Sequence, residues 1–315
     1  MKILKPGILS TLQDAGRYGY RAFGIGPGGV MDVFAFTMLN RLLENHTDEA
    51  VIEMHFPAAE LLFEEDTVFA VTGGDFDARL NDESIQSWKT YRAGQGDILR
   101  FHSLRKGYRV YFSVKGGFHT DSWLDSCSTH LKIQKGGYHG RALKKEDVLT
   151  LKNKEANILF RIAEVPSQLI DVAYNTMVIH CMEGPEFEKL TDESKNLLFS
   201  EVFTIDLHAN RMGYRLEQKK LVLSETPVEM LSSAVCMGTI QLAPDGGLII
   251  LMADHQTTGG YPRVLTVISA DLPKLAQHKP GDQIKFKLIT VKEAEEKYVL
   301  MYQQINDQLL HEKLY

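Results

Sequence analysis

The 315-residue sequence predicts a mainly β protein built in two halves, and three observations carry the prediction. Short runs rich in β-branched and aromatic residues alternate with a period of two at 61–64, 67–71, 98–101, 109–114, 177–182, 248–252 and 284–288. Acidic turns repeatedly lead into such runs, at Gly96-Asp97, Glu146-Asp147 and Gly281-Asp282, a repetition that points to two related barrels in tandem. A break at Val165-Pro166-Ser167 divides the chain. The expected division is therefore a first barrel domain over 1–164, a second over 165–290 and a C-terminal helix over 291–315.

Helices are few. Residues 31–43 place Phe34, Met38 and Leu42 at helical spacing, so one face is expected to pack on the first barrel. Asp32 falls in the first turn of that helix, where a carboxylate suits the helix dipole, and Gly28 lies near its start in a capping context. In the tail, Thr290 and Glu293 form a capping-box pattern ahead of Ala294, Tyr298, Met301, Ile305 and Leu309, spaced along one face. That face packs either on its own barrel or on a partner.

Composition narrows the function. With 44% hydrophobic and 24% charged residues and no apolar run near the ~18 residues of a membrane span, a soluble protein is expected. The start Met1-Lys2-Ile3-Leu4-Lys5-Pro6 lacks a secretory pattern, so the expected location is the cytoplasm. A net charge of −6 argues against a nucleic-acid partner. The basic stretch Arg100, His102, Arg105, Lys106 and Arg109 straddles a turn and reads as a solvated hairpin face. Cys127, Cys181 and Cys236 form no Cys-x-x-Cys pair and are expected to be buried free thiols.

Several chemistries lack their motifs. There is no Walker phosphate loop, no His-Glu-x-x-His and no Gly-x-Ser-x-Gly, and the 11 histidines show no ligand spacing flanked by carboxylates, so no metal is expected. Gly24, Gly26 and Gly29 match the dinucleotide pattern, but Pro27 sits inside the turn and no buried strand precedes it. A Met-Lys-Met biotin site is also missing, so in a biotin system the biotin would arrive on another polypeptide.

The polar run Asp254-His255-Gln256-Thr257-Thr258-Gly259-Gly260-Tyr261-Pro262-Arg263, wedged between apolar stretches, has the makings of a ligand loop. Paired glycines permit positive φ and close backbone approach, and Pro262 holds Tyr261 extended. The plainer alternative is a hairpin connection facing water. Further polar groups stand beside glycines: Asp75, Thr129, His130, Arg141, Arg211 and Gln241. Together they suit a small amide or carboxylate ligand. Arg141 and Arg211 would grip a carboxylate, Gln241, Gln256, Thr257, Thr258 and Tyr261 would meet a carbonyl or amide, and the Gly259 and Gly260 backbone would offer N–H donors. Asp75 and Asp254 are candidate general bases and His130 a candidate proton carrier. Equally, Asp75 could cap a turn, Arg211 could pair with a structural carboxylate, and His130 could bond to backbone.

The segment 256–263, followed by Val267-Ile268-Ser269-Ala270-Asp271-Leu272-Pro273 and Pro280-Gly281-Asp282, resembles the carboxyltransferase-like family shared by the C subunit of 5-oxoprolinase and the second subunit of allophanate hydrolase. That family also holds the carboxyltransferase half-domains of urea carboxylase and a bacterial antagonist of a kinase inhibitor. The likeness extends through Gln13-Asp14-Ala15-Gly16-Arg17, Gly29-Val30-Met31-Asp32, Thr72-Gly73-Gly74-Asp75, Ser128-Thr129-His130-Leu131, Gly140-Arg141-Ala142-Leu143, Arg211-Met212-Gly213 and Gly238-Thr239-Ile240-Gln241. It implies two barrels of cyclophilin-like shape. It also implies the C subunit of an ATP-dependent 5-oxoprolinase, opening the lactam of 5-oxoproline to glutamate with the A and B subunits. ATP is then used by the complex, no cofactor is bound by this chain, and the chain alone is inactive. Two alternatives share the motifs: a carboxyltransferase subunit acting on urea or another amide with a separate biotin carrier, and a regulatory antagonist without chemistry.

Overall fold

The computed structural model describes residues 1–152, 162–174, 176–217, 220–224 and 230–307. The chain forms two compact units. The first holds β1 (Lys2–Lys5), β2 (Ser10–Gln13), α1 (Val33–Leu42), β3 (Val51–His55), β4 (Glu60–Leu62), β5 (Thr67–Asp75), β6 (Ala78–Leu80), β7 (Glu83–Ser84), β8 (Lys89–Ala93), β9 (Ile98–Phe101) and β10 (Lys106–Val114). α2 (Ser167–Tyr174) follows. The second holds β11 (Val178–Glu183), α3 (Asp192–Ser200), β12 (Phe203–Ile205), β13 (Gly213–Glu217), β14 (Ser233–Ala234), β15 (Thr239–Leu242), β16 (Leu248–Leu251), β17 (Thr258–Gly259), β18 (Arg263–Val267), α4 (Leu272–Ala276) and β19 (Gln283–Leu288), with α5 (Val291–Asp307) after it.

Two five-stranded sheets make the first unit, in the orders β1-β4-β9-β6-β7 and β2-β3-β10-β5-β8. Ile3, Leu61 and Leu99 of one sheet and Leu12, Met54, Phe69 and Phe112 of the other share one apolar core. Each such side chain, fully buried, contributes about 1.5–3 kcal/mol. The opposite face of the second sheet is covered by α1, where Thr72 Oγ1 donates to the Ala35 carbonyl at 2.8 Å. Covered on both faces, β10 buries six successive residues, Arg109 to Val114, so that Arg109 and Ser113 are buried alongside Val110, Phe112 and Val114. Among the described residues this unit is two sheets over one core where the turn repeat suggested a barrel. The edge strands β1 and β8 each gain one isolated bridge, Lys2 to Val148 and Lys89 to Glu164, and the outermost strand beside β6 is the two-residue β7.

The second unit is a closed barrel in the order β11-β18-β15-β16-β13-β12-β19, with β19 returning to β11 in parallel. Ile179, Phe203, Tyr214, Ile240, Ile250, Leu265 and Phe286 fill it. β14 and β17 form a separate two-stranded ribbon.

The compact units depart from the linear division in places. Tyr18–Pro27 groups with the second unit, because the Arg21 guanidinium donates to the Val235 carbonyl and Gly26 approaches the His255 carbonyl so closely that a Cβ would stand 2.9 Å from it. Residues through Val172, and again from Ile305, group with the first unit.

Local expectations fare variously. The cap of α1 is Asp32, whose carboxylate accepts from Ala35 N at 2.9 Å, and Gly28, at φ 63°, lies ahead of it in the turn. The tail capping box forms, with Glu293 N donating to Thr290 Oγ1 and Thr290 N to the Glu293 carboxylate. Ala294 and Ile305 are buried as the pattern requires, whereas Tyr298 is 41% exposed and packs against Tyr302. Leu309 lies outside the described residues. Of the three free thiols only Cys181 is buried; Cys127 is half-buried and Cys236 exposed. No helix among the described residues is long and apolar enough to cross a membrane.

Candidate functional site

In the second unit the polar run turns out to be more ordered than a plain loop. Thr258–Gly259 pairs with Ser233–Ala234 across the ribbon, and Val235 N donates to the Thr257 carbonyl at 3.2 Å. Neither Gly259 nor Gly260 takes a positive φ. Close approach is what Gly259 supplies, since a Cβ there would meet Gln241 Nε2 at 2.5 Å. Gln241, buried on β15, lies against this backbone and donates to the Tyr261 carbonyl at 3.4 Å. At the far end Arg263 holds Glu186 through two nitrogens and donates to Ala234 O, fixing the ribbon against the barrel. The Arg263 guanidinium holds the Glu186 carboxyl below the usual carboxylate range.

At its start the run is fixed by a bidentate pair. Arg211 Nε and Nη2 donate to the two carboxylate oxygens of Asp254, each at 2.8 Å, and Asp254 N donates to Arg211 O at 2.8 Å. Arg211 is buried and Asp254 partly exposed. The guanidinium expected to grip a ligand carboxylate thus grips the carboxylate expected to act as a base, the structural alternative for Arg211. Between this pair and the ribbon sits His255, 3% exposed, which no motif in the sequence singles out for chemistry. Its Nδ1 faces the Gln256 carbonyl at 2.5 Å. Burial pushes the imidazole below its usual pKa, the carbonyl contact opposes this, and Arg21 adds to the lowering. Only its position in the run could have flagged it.

The side chains of Gln256, Thr258 and Tyr261 are exposed and make no hydrogen bond among the described residues. Their donors and acceptors remain available to a ligand. Thr257, by contrast, is buried.

The other three candidates lie in the first unit, each in a local role. Asp75, at the end of β5, accepts from Asp77 N at 2.9 Å and stands 4.0 Å from Arg105, the turn contact of its plainer reading. His130 exchanges backbone bonds with Lys135 and meets Trp123 edge-on at 6.3 Å. Arg141 forms a bidentate pair with Asp147 at 2.7 and 2.8 Å and lies over the Tyr138 ring. Nearby motifs are also engaged in structure. The Asp14 carboxylate accepts from Ser126 Oγ, Gly16 N and Cys127 N, and Glu53 accepts from Met31 N and Tyr111 Oη. Burial raises the Tyr111 pKa well above its usual value, so its hydroxyl stays a donor.

Fold and site define a class: a two-unit, mainly β protein with a polar, glycine-containing segment mounted on a closed barrel. The chain belongs to the carboxyltransferase domain, subdomain A and B, family, whose match spans residues 23–288. It is 38% identical over 285 residues to the C subunit of 5-oxoprolinase from Haemophilus influenzae, covering 90% of both chains. To the Escherichia coli protein of the same name it is 33% identical, covering 93% of each. The crystal structure of the Kluyveromyces lactis urea carboxylase superposes with a TM-score of 0.91 at 29% identity, over 97% of this chain but only 29% of that one.

Proposed function

We propose that this chain is the C subunit of an ATP-dependent 5-oxoprolinase, which opens the lactam of 5-oxoproline to give glutamate. The observation that carries the reading is likeness over nine-tenths of both chains to proteins named as that subunit. The second-unit segment is compatible with such a substrate. A lactam presents one carbonyl, one N–H and one carboxylate, and the unspent groups of Gln256, Thr258 and Tyr261 can pair with them. The A and B subunits complete the active site and supply the use of ATP, and the chain alone turns nothing over. The assembly works in the cytoplasm.

The test is reconstitution. Mixed with the A and B subunits of a 5-oxoprolinase, the chain restores ATP-dependent glutamate formation from 5-oxoproline, while the pure chain releases no ADP. Sustained ADP release by the pure chain would refute its dependence on partners. A second reading, a carboxyltransferase subunit acting on urea with a biotin carrier, is favoured by the close superposition on urea carboxylase. It replaces the first if the mixture ignores 5-oxoproline and carboxylates urea when the carrier is added.

A further inference from the structure

We propose that Nε2 of His255 accepts a hydrogen bond from the N–H of the bound lactam or amide, making His255 the residue that tells an N–H ligand from its N-alkylated analogue. The proposal rests on the amide-ligand reading above and deepens it. A backbone carbonyl can only accept, so the contact between Nδ1 and the Gln256 carbonyl requires the proton on Nδ1. Nε2 then carries a lone pair. Among the described residues it has no hydrogen-bond partner, and although the residue as a whole is only 3% exposed, Nε2 does not fall among the fully buried unpartnered atoms, so a ligand can reach it. Neighbouring donors are engaged elsewhere: Arg21 Nη2 on the Val235 carbonyl, Arg211 Nε and Nη2 on Asp254. Burial keeps the ring neutral, which preserves the lone pair at neutral pH.

The position fits this role. The His255 backbone is held from both sides, its N donating to Met252 O at 3.0 Å and its carbonyl crowded by Gly26, and the ring is tied through Nδ1 to the Gln256 carbonyl, in the same run as the unspent side chains of Gln256 and Thr258. An acceptor with its tautomer set by the chain discriminates by what it leaves unpaired. A ligand N–H lined up on Nε2 is satisfied, whereas an N-methyl group there forfeits the bond and strands the lone pair.

The tautomer is read first, by ¹⁵N NMR of the imidazole-labelled chain, with the His255 signals assigned by their loss in His255→Gln. The expected state is Nδ1 protonated and Nε2 bare; a proton on Nε2 overturns the proposal. In the reconstituted complex, saturating 5-oxoproline moves the Nε2 resonance and N-methyl-5-oxoproline does not, and an unmoved Nε2 with both 5-oxoproline and urea also overturns it. If urea moves the resonance and 5-oxoproline does not, the acceptor stands and the 5-oxoprolinase reading falls. In kinetics, His255→Leu lowers the preference for 5-oxoproline over the N-methyl analogue by roughly 10- to 100-fold in kcat/KM, and His255→Gln, which keeps an acceptor, restores part of it. An unchanged preference in an active His255→Leu complex refutes the assignment.

Discussion

Arg211 and Asp254 show how a single contact ties two candidate residues together. Each looks chemically available in sequence, Arg211 beside glycine and Asp254 at the head of a polar run, yet each satisfies the other in a bidentate pair. Such charge-assisted bonds to a buried guanidinium are worth about 1.5–3 kcal/mol, so Asp254→Asn is expected to destabilise the protein by that amount in urea denaturation. A midpoint equal to the parent's would show the pair to be dispensable. Arg141 with Asp147 follows the same logic in the first unit. Neither pairing can be read from spacing, because the partners stand 43 residues apart in one case and 6 in the other.

At the scale of elements, the repeated acidic turns are more alike than their sequences suggest. In each, an Asp carboxylate accepts from the backbone N–H three residues earlier: Asp97 from Gly94, Asp147 from Lys144 and Asp282 from Lys279, at 2.8, 2.7 and 2.9 Å. The residue before the Asp takes a positive φ, 95° at Gly96, 73° at Glu146 and 85° at Gly281. That is the third position of a type II turn, where glycine is favoured. A Cβ on Gly281 would meet nothing within 4 Å, so Gly281→Ala probes conformation alone and is expected to cost about 1–2 kcal/mol in thermal or urea unfolding. Unchanged stability would show that the turn relaxes without penalty. The sequence disclosed the Gly-Asp spacing; that Glu146 adopts the glycine conformation came only from the fold.

For the whole molecule, titration predicts a stability profile with two descents. His255 and His278 are held below their ordinary pKa of 6.5, chiefly by burial. The unfolded chain then binds protons that the folded chain refuses, so stability is full above about pH 6.5 and falls as pH drops through the depressed folded values. Asp147 and Glu186 have pKa values lowered by Arg141 and Arg263, so their contribution is present above their ordinary 3.8 and 4.5 and is lost as pH falls further. Denaturant midpoints measured across pH should therefore show an upper shoulder that disappears in His255→Asn/His278→Asn, since an asparagine amide can donate, without titrating, to the Gln256 and Lys274 carbonyls that the two Nδ1 atoms face. A shoulder that persists in the double variant would assign it to other groups.

Much of the architecture was legible in the sequence because it is written in local terms. Period-two runs gave strands near 98–101 and 283–288, and the Thr290 and Glu293 pair predicted a cap that forms bond for bond. These signals depend on neighbours within a few residues, which sequence order preserves. What only tertiary structure decided depends on distant partners. Closure of the barrel rests on β19 finding β11, and the described residues of the first unit form two sheets over one core. Tyr18–Pro27 joins the second unit through Arg21 and Gly26. The contacts of Arg211, Asp254 and His255 were likewise fixed by what each group met on folding, since a buried polar group is defined by its partner and a partner is a matter of space.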